Sequence, residues 1–462
     1  MGNFLETLDS IIQAYNEYVG GYALLILLIP SGVYFAFQYK FLHLTKLRHA
    51  FQIISGKYDK EGDAGDINHF RALTTALSAT VGTGNIVGVS LAIYFGGPGA
   101  IFWMWVTGIF GMILKFVECT LSQKFRKVNS DGTISGGPMY YMEIGLKEKL
   151  GRFAKILAVI FAGATVLCSL GTGNMAQSNS MTDVLHESYN ISTWLSGGII
   201  TALVLLVIVG GIQRISTVTS KLVPFMAFFY FLASVLIIGI NYNSLPSAFA
   251  LIFTDAFTGT AASGGFIGSA FLITLRYGVA RGLFSNEAGQ GSAAIAHSAA
   301  KTTYPVREGL VASVGPLIDT LIICTLTALV IIVTGAWESG EKGVAMTVLG
   351  FSKGLEGVNM GYIAHHLVAT GLLLFAFSTI ISWSYYGAQA AEYLLGRKAI
   401  KPYRYIYALF VFFGSVWGLD LVWHFVDMVI TFMTIPNLIA LLLLSPVVTK
   451  EVKTYFAEFK DV

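Results

Sequence analysis

The chain has 462 residues, of which 29 are Lys or Arg and 26 Asp or Glu, so charged residues make up 12%, about half the share in a soluble globular domain. Hydrophobic residues reach 55%, glycines number 50, and mean hydropathy is +0.69. These figures exclude a soluble multidomain enzyme, a disordered chain and a nucleic-acid binder with a basic surface. They leave a polytopic membrane protein with many glycines inside its helices. Cys119, Cys168 and Cys324 all fall in apolar runs and offer neither a disulfide framework nor a metal spacing. The first residues, MGNFLETLDS, lack the basic start of a cleaved signal peptide.

A bilayer core of about 30 Å needs roughly 20 mostly apolar helical residues. By that measure eleven spans follow in chain order, centred on 22–39, 70–95, 98–122, 155–181, 194–213, 218–240, 265–299, 308–335, 361–394, 403–419 and 423–448. Lys and Arg accumulate on the cytoplasmic side of short loops. With the N-terminus outside and the C-terminus in the cytoplasm, 24 of the 29 basic residues lie inside, from Lys40 to Lys460. Only Lys342 and Lys353 fall outside, and Lys115, Arg276 and Arg281 lie within spans. The loop 122–154 is polar and cytoplasmic, with a short surface helix expected around Met139–Lys149.

Without the first span, ten remain, and they divide into two sets of five. An odd repeat unit forces the second set to run inverted. The second and seventh spans are then counterparts, and each carries small and polar residues at mid-depth, Ser78–Asn85 in one and Gly282–Gly291 in the other. Interrupted spans at matching places in two halves point to the binding site of a secondary transporter. A broken helix frees N–H groups that attract a carboxylate and C=O groups that attract a cation. Such groups are tolerated in hydrocarbon only around a buried cavity or ligand. Gly84 and Gly88 also form a GxxxG pair suited to close helix packing, so the first cluster has two readings.

Four stretches resemble the alanine or glycine:cation symporter family: Thr75–Gly88, Gly96–Gly111 (GGPGAIFWMWVTGIFG), Ser135–Met142 and Arg281–Ser292. The resemblance implies an all-α membrane protein of the leucine-transporter type. It has two inverted five-helix repeats with two discontinuous helices, plus one extra N-terminal helix. The corresponding organisation is 1–66 for the extracellular N-terminus, extra helix and cytoplasmic linker, 67–244 and 245–448 for the repeats, and 449–462 for the cytoplasmic tail. The resemblance further implies sodium-coupled symport of alanine and/or glycine into the cell across the cell membrane. Sodium is then the coupling ion, with no organic cofactor and no nucleic-acid partner. Proton coupling, through Glu287, Asp319 or Asp427, is the alternative.

Matching Gly84–Asn85 to the Gly-Asn of amino-acid transporters of this fold implies an unwound stretch from Thr80 to Asn85. N–H groups around Thr83 and Gly84 are then candidates for the substrate carboxylate. The second span contains no Asp or Glu, which suits a zwitterion. In the seventh span Phe284, Ser285 and Asn286 are placed in the break, as acceptors for the substrate ammonium. Asn174 and Gln177 in the fourth span share a helix face, either toward substrate or in an interhelical hydrogen bond. Trp383, Phe284 and Met175 are bulky walls for a small side chain, or plain packing. The same fold match offers the carbonyls of Ser78 and Val81 and the hydroxyls of Ser378 and Thr379 to sodium, which takes neutral oxygens. Those hydroxyls could instead bond their own helix, and Ser382 is a substitute ligand one turn on. Arg276, Arg281 and Glu287 flank the second break as gating charges. Lys115 and Glu118, three apart, are a local pair.

An intramembrane enzyme is disfavoured because nothing resembles HExxH or GxSxG and the histidines sit at span edges or in loops. A channel is disfavoured because no filter-like loop repeats.

Overall fold

The computed structural model describes residues 2–60, 62–258, 267–417 and 420–459, and these are almost entirely helical. Seven helices among them are long and apolar enough to cross a membrane: Asp9–Gln38, Ala100–Phe125, Arg152–Tyr189, Gly211–Ile240, Pro305–Val333, Gly361–Leu395 and Asp427–Glu458. A pair bent by 54°, His69–Thr80 with Gly84–Gly96, makes an eighth. The other three expected spans coincide with Thr193–Ile208, the interrupted Ile267–Asn286 and Ser292–Ser298, and Ile400–Val416, none of which meets that measure alone.

The elements that position the site are α1 (His69–Thr80), α2 (Val89–Gly96), α3 (Ala100–Phe125), α4 (Arg152–Leu170), α5 (Ala176–Tyr189), α6 (Gly211–Ile240), α7 (Ile267–Asn286), α8 (Ser292–Ser298), α9 (Pro305–Pro316), α10 (Thr325–Val333), α11 (Ala364–Leu395) and α12 (Ile400–Val416). Single π turns join α1 to α2 (Gly84–Gly88), α4 to α5 (Gly171–Met175) and α9 to α10 (Leu317–Cys324). Such turns recur at functional sites.

Packing divides the helices into two groups. In one, α7, α8 and α9 lie along α3, and α1 rests on α8 and α9; in the other, α4, α5, α11 and α12 pack together. Helices α6 and α11 both meet α1, so the broken pair faces both groups. Small residues permit the closest approaches. A Cβ at Gly309 would lie 2.1 Å from Thr120 Oγ1 and 2.6 Å from the Phe116 carbonyl, which locks α9 against α3.

The Lys/Arg-rich end is sealed. Arg126 donates to the carbonyls of Ala64, Ser298, Ala300 and Thr302, and Gln123 Nε2 donates to those of His297 and Ala300. The buried Glu308 carboxylate bonds His69 Nδ1 with one oxygen and His297 Nδ1 with the other. The loop expected to hold a surface helix carries a small hairpin, Lys127–Val128 with Ile134–Ser135. Short helical pieces follow at Pro138–Tyr140, Tyr141–Gly145 and Lys147–Leu150, and Gly151 at φ +54° ends them. Arg397 hydrogen-bonds the exposed Asp131 of this hairpin at 2.7 Å, which holds that carboxyl well below the usual carboxylate range.

Gly309→Ala is expected to destabilise the protein by about 1–3 kcal/mol through overpacking, seen as a lower melting temperature in detergent. Gly163→Ala, at a site with nothing within 4 Å of the new Cβ, is expected to leave that temperature unchanged.

Candidate substrate and cation site

Helix α1 starts with Asn68 as cap, its side chain accepting from the Arg71 N–H, and stops at Val81, whose backbone is extended at φ −76°, ψ 90°. The irregular backbone is confined to Val81 and Gly82. Thr80 still belongs to the helix and Thr83 already begins the next turn, so the unwound stretch is shorter than the expected Thr80–Asn85. The physical reason is side-chain substitution for the lost ladder. Asn85 Oδ1 accepts from the Gly82 N–H at 2.9 Å, and Gln177 Oε1 from the Thr83 N–H at 3.3 Å. Gln177 Nε2 donates in turn to Thr83 Oγ1 at 3.0 Å and to the Thr172 carbonyl at 3.1 Å.

The second break spans Glu287–Gly291, just after the residues expected in it. Phe284, Ser285 and Asn286 form the last turn of α7. Positive φ at Glu287, Gly289 and Gly291 (+53°, +80° and +84°) stops the helix there. Last-turn carbonyls lack the usual intrahelical donors, and the Leu283 carbonyl is served by the Glu287 N–H and by Gln290 Nε2. Asn286 Oδ1 accepts from the Ala288 N–H at 2.9 Å, while its Nδ2 is buried without a hydrogen-bond partner among the described residues.

One carboxylate joins the two breaks. Asp319, buried in the π turn before α10, accepts from Asn85 Nδ2 at 2.5 Å, Ser285 Oγ at 2.8 Å and Thr320 Oγ1 at 2.9 Å. Thr327 Oγ1 adds a bond to the Asn85 carbonyl at 2.8 Å. Apart from adjacent Thr320, these partners of Asp319 lie 34 and 234 positions away, which no local pattern reveals. The detectable signal was the acid itself in mid-span.

The four residues matched to a cation do come together. Ser378 Oγ and Thr379 Oγ1 each lie 3.2 Å from the Ser78 carbonyl oxygen and 3.5 Å from that of Val81. Ser78 Oγ donates to the Ser378 carbonyl at 2.6 Å, and all four residues are buried. Both hydroxyls also bond the Phe375 carbonyl of their own helix, so the two readings of these side chains coexist. Gly82 keeps this corner open, since a Cβ there would sit 2.5 Å from Thr379 Oγ1. Ser382 Oγ is buried with no hydrogen-bond partner among the described residues.

Other candidates separate. Asn174 turns from Gln177 and donates to the Tyr407 carbonyl on α12 at 2.8 Å, which is the interhelical alternative. Trp383 is buried, its indole N–H on Glu287 Oε1 at 3.1 Å. Arg276 and Arg281 are not within ion-pair distance of Glu287, nor is Lys115 of Glu118. Arg276 lies over the Tyr22 ring and Arg281 over that of Phe284, both at 5.8 Å. Arg281 also lines a cavity of about 510 Å³ whose wall includes Asp183, Lys342 and Asp427 and reaches Thr83 and Phe284. This cavity runs along the second half of the broken pair (Val87, Gly88, Leu91), away from the sealed end at His69.

Two helix breaks facing each other in a membrane-embedded helical protein, with converging oxygens between two packed groups, define a secondary transporter. The fold agrees with solved transporters. The structure of MhsT in complex with L-phenylalanine matches with a TM-score of 0.54 at 13% identity, over 82% of this chain and 99% of that one. A Na+-coupled sialic acid symporter matches with 0.53 at 12%, over 88% and 82%.

The family model for the sodium:alanine symporter family matches residues 5–462, and the chain belongs to that family. A Methanococcus maripaludis relative described as the sodium/alanine symporter AgcS is 42% identical over 96% of this chain and 97% of its own. A Haemophilus influenzae relative described as an uncharacterized transporter is also 42% identical, over 98% and 97%. Bacillus subtilis has a relative described as a probable sodium/glutamine symporter, GlnT, 36% identical over 98% and 92%. The chain is thus a cation-coupled amino-acid symporter and not an enzyme.

Asp319→Ala would strand the Asn85 and Ser285 donors and is expected to cost about 2–4 kcal/mol. Melting in detergent should show this, together with loss of the stabilisation that a bound amino acid gives the wild type.

Proposed function

We propose that this protein carries alanine and/or glycine into the cell together with sodium by alternating access. The observation that carries the reading is the meeting of the Ser78 and Val81 carbonyls with the Ser378 and Thr379 hydroxyls. Four neutral, hard oxygens suit a monovalent hard cation. The ion would bridge α1 at its break to α11, and so the two helix groups.

Substrate lies beside it. Its carboxylate is held by the N–H groups near Thr83 and Gly84, with Gln177 giving up its bond to Thr83 or sharing it. Its ammonium meets oxygens at the end of α7, around Phe284, Ser285 and Asn286, and Asn85 braces both breaks. Thr80 and Asn174 act from behind this layer. Trp383 and Phe284 serve as bulky walls, which suits a short substrate side chain. The family and the curated relative named for alanine support that substrate.

Eleven spans, with the N-terminus outside and the C-terminus in the cytoplasm of the cell membrane, follow from the basic-residue distribution. With that orientation, the sealed Lys/Arg-rich end makes this conformation outward-facing. The organisation into an extra helix (1–66), two inverted repeats (67–244 and 245–448) and a tail (449–462) accounts for the two breaks as counterparts. Arg276, Arg281 and Glu287 serve the closure of the path, Arg281 from the wall of the outer cavity. Proton coupling is the second reading. The observation favouring it is the buried Asp319 carboxylate, which bonds Asn85 and Ser285 beside the two breaks.

Alanine uptake into proteoliposomes tests the proposal. It should require an inward sodium gradient and persist without a pH gradient; uptake that ignores sodium and follows the pH gradient refutes sodium coupling. Hydrogen bonds to charged groups contribute about 1.5–3 kcal/mol. Ser378→Ala or Thr379→Ala should therefore raise the sodium concentration for half-maximal uptake about tenfold or more.

A further inference from the structure

We infer that Glu287 is a positioning residue that sets the size limit on the substrate by fixing the ring of Trp383. The inference rests on the reading above that Trp383 borders the substrate. Glu287 is the first residue after α7, at φ +53°, a left-handed conformation uncommon for a non-glycine residue. That turn aims its carboxylate into the protein, where the residue is 5% exposed. Oε1 accepts from the Trp383 indole N–H at 3.1 Å, and Oε2 accepts from Ser292 Oγ at 2.5 Å. Ser292 is the first residue of α8, so this single side chain ties the second break to α8 on one side and α11 on the other.

Trp383 has one hydrogen-bonding group, the indole N–H, and Glu287 holds it. The rest of the ring is fixed by shape. A Cβ at Gly173, in the π turn between α4 and α5, would lie 2.2 Å from Trp383 Cγ, so the ring occupies the space that this glycine leaves. Tyr386 meets it edge-on at 5.3 Å with an interplanar angle of 67°. The ring is therefore pinned by packing at one side and by a charge-assisted hydrogen bond at the other. Two neutral donors satisfy the Glu287 carboxylate, and neither arginine of α7 reaches it. This is an arrangement for orienting a ring. Freed from Glu287, the indole can tilt, and the wall facing a substrate side chain recedes.

The test is competition of labelled alanine uptake by glycine, serine, valine, leucine and glutamine, read as the ratio of each competitor's inhibition constant to that of alanine. That ratio is independent of how much active protein reaches the vesicles. Trp383→Ala is expected to lower the valine, leucine and glutamine ratios at least tenfold. Glu287→Ala should move them the same way by about threefold or more, and Glu287→Gln, whose amide oxygen still accepts the indole N–H, should keep them near wild type. If Glu287→Ala fails to fold, Trp383→Phe removes the same hydrogen bond from the other partner and should relax selectivity similarly. Changed ratios in Trp383→Ala with unchanged ratios in both Glu287→Ala and Trp383→Phe overturn the positioning role alone. Unchanged ratios in Trp383→Ala overturn the placement of Trp383 beside the substrate, and the inference falls with it. Loss of the ion requirement in Glu287→Gln would make Glu287 a coupling group and overturn the inference as well.

Discussion

Backbone groups freed inside hydrocarbon must find partners within the protein, and the two helix breaks of this chain meet that demand with side chains from distant helices. Asn85 and Gln177 cover N–H groups of the first break, at Gly82 and Thr83. Gln290 folds back on the Leu283 carbonyl at the second. Asp319 then accepts from Asn85 and Ser285 together, so one buried carboxylate sets the spacing of both breaks. A partly satisfied polar network in such a medium would cost more than none. Side chains thus brace both breaks.

That bracing assigns different work to similar residues. Asn85 holds the Gly82 N–H, Asn174 the Tyr407 carbonyl of α12, and Asp319 the side chains of Asn85 and Ser285. The carbonyls of Ser78 and Val81 at the end of α1 meet the Ser378 and Thr379 hydroxyls of α11. Asp319, buried near both breaks, is occupied by neutral donors. Glu287 on Trp383 and Ser292 follows the same pattern.

The alternating access proposed above would move two helix groups relative to each other. The contacts across the interface match that demand. Thr83 with Gln177 and Ser78 with Ser378 share two hydrogen bonds each, and Glu287 with Trp383 one, between neighbouring groups. Within the first group, by contrast, Gly309 brings α9 onto α3 without a side chain between them. The Lys/Arg-rich end is closed by Arg126, Gln123 and the Glu308–histidine contacts, whereas the other end is open down to Thr83 and Phe284.

Much of this was legible in the linear chain. Scarcity of charge implied a bilayer protein, and the distribution of the 29 basic residues gave a sidedness. Glycine and small polar runs at 78–85 and 282–291 marked both breaks, because hydrocarbon tolerates irregular backbone at few places. Four motifs pointed to the family. Partners across long sequence separations were not legible, since a local pattern carries no information on what lies opposite it. So the partners of Asp319 were hidden, Asn174 could not be told from Gln177, and Glu287 stood beside arginines that it does not touch. The exact ends of the breaks also waited on the fold, because Asn85 and Gln177 shorten the first and the positive φ of Glu287 delays the second. Sequence determined that this chain spans a membrane, breaks two helices and belongs among symporters. Tertiary structure alone decided which side chains satisfy those breaks, because burial in a low-dielectric interior makes every unpaired polar group choose a partner from whatever the packing brings near.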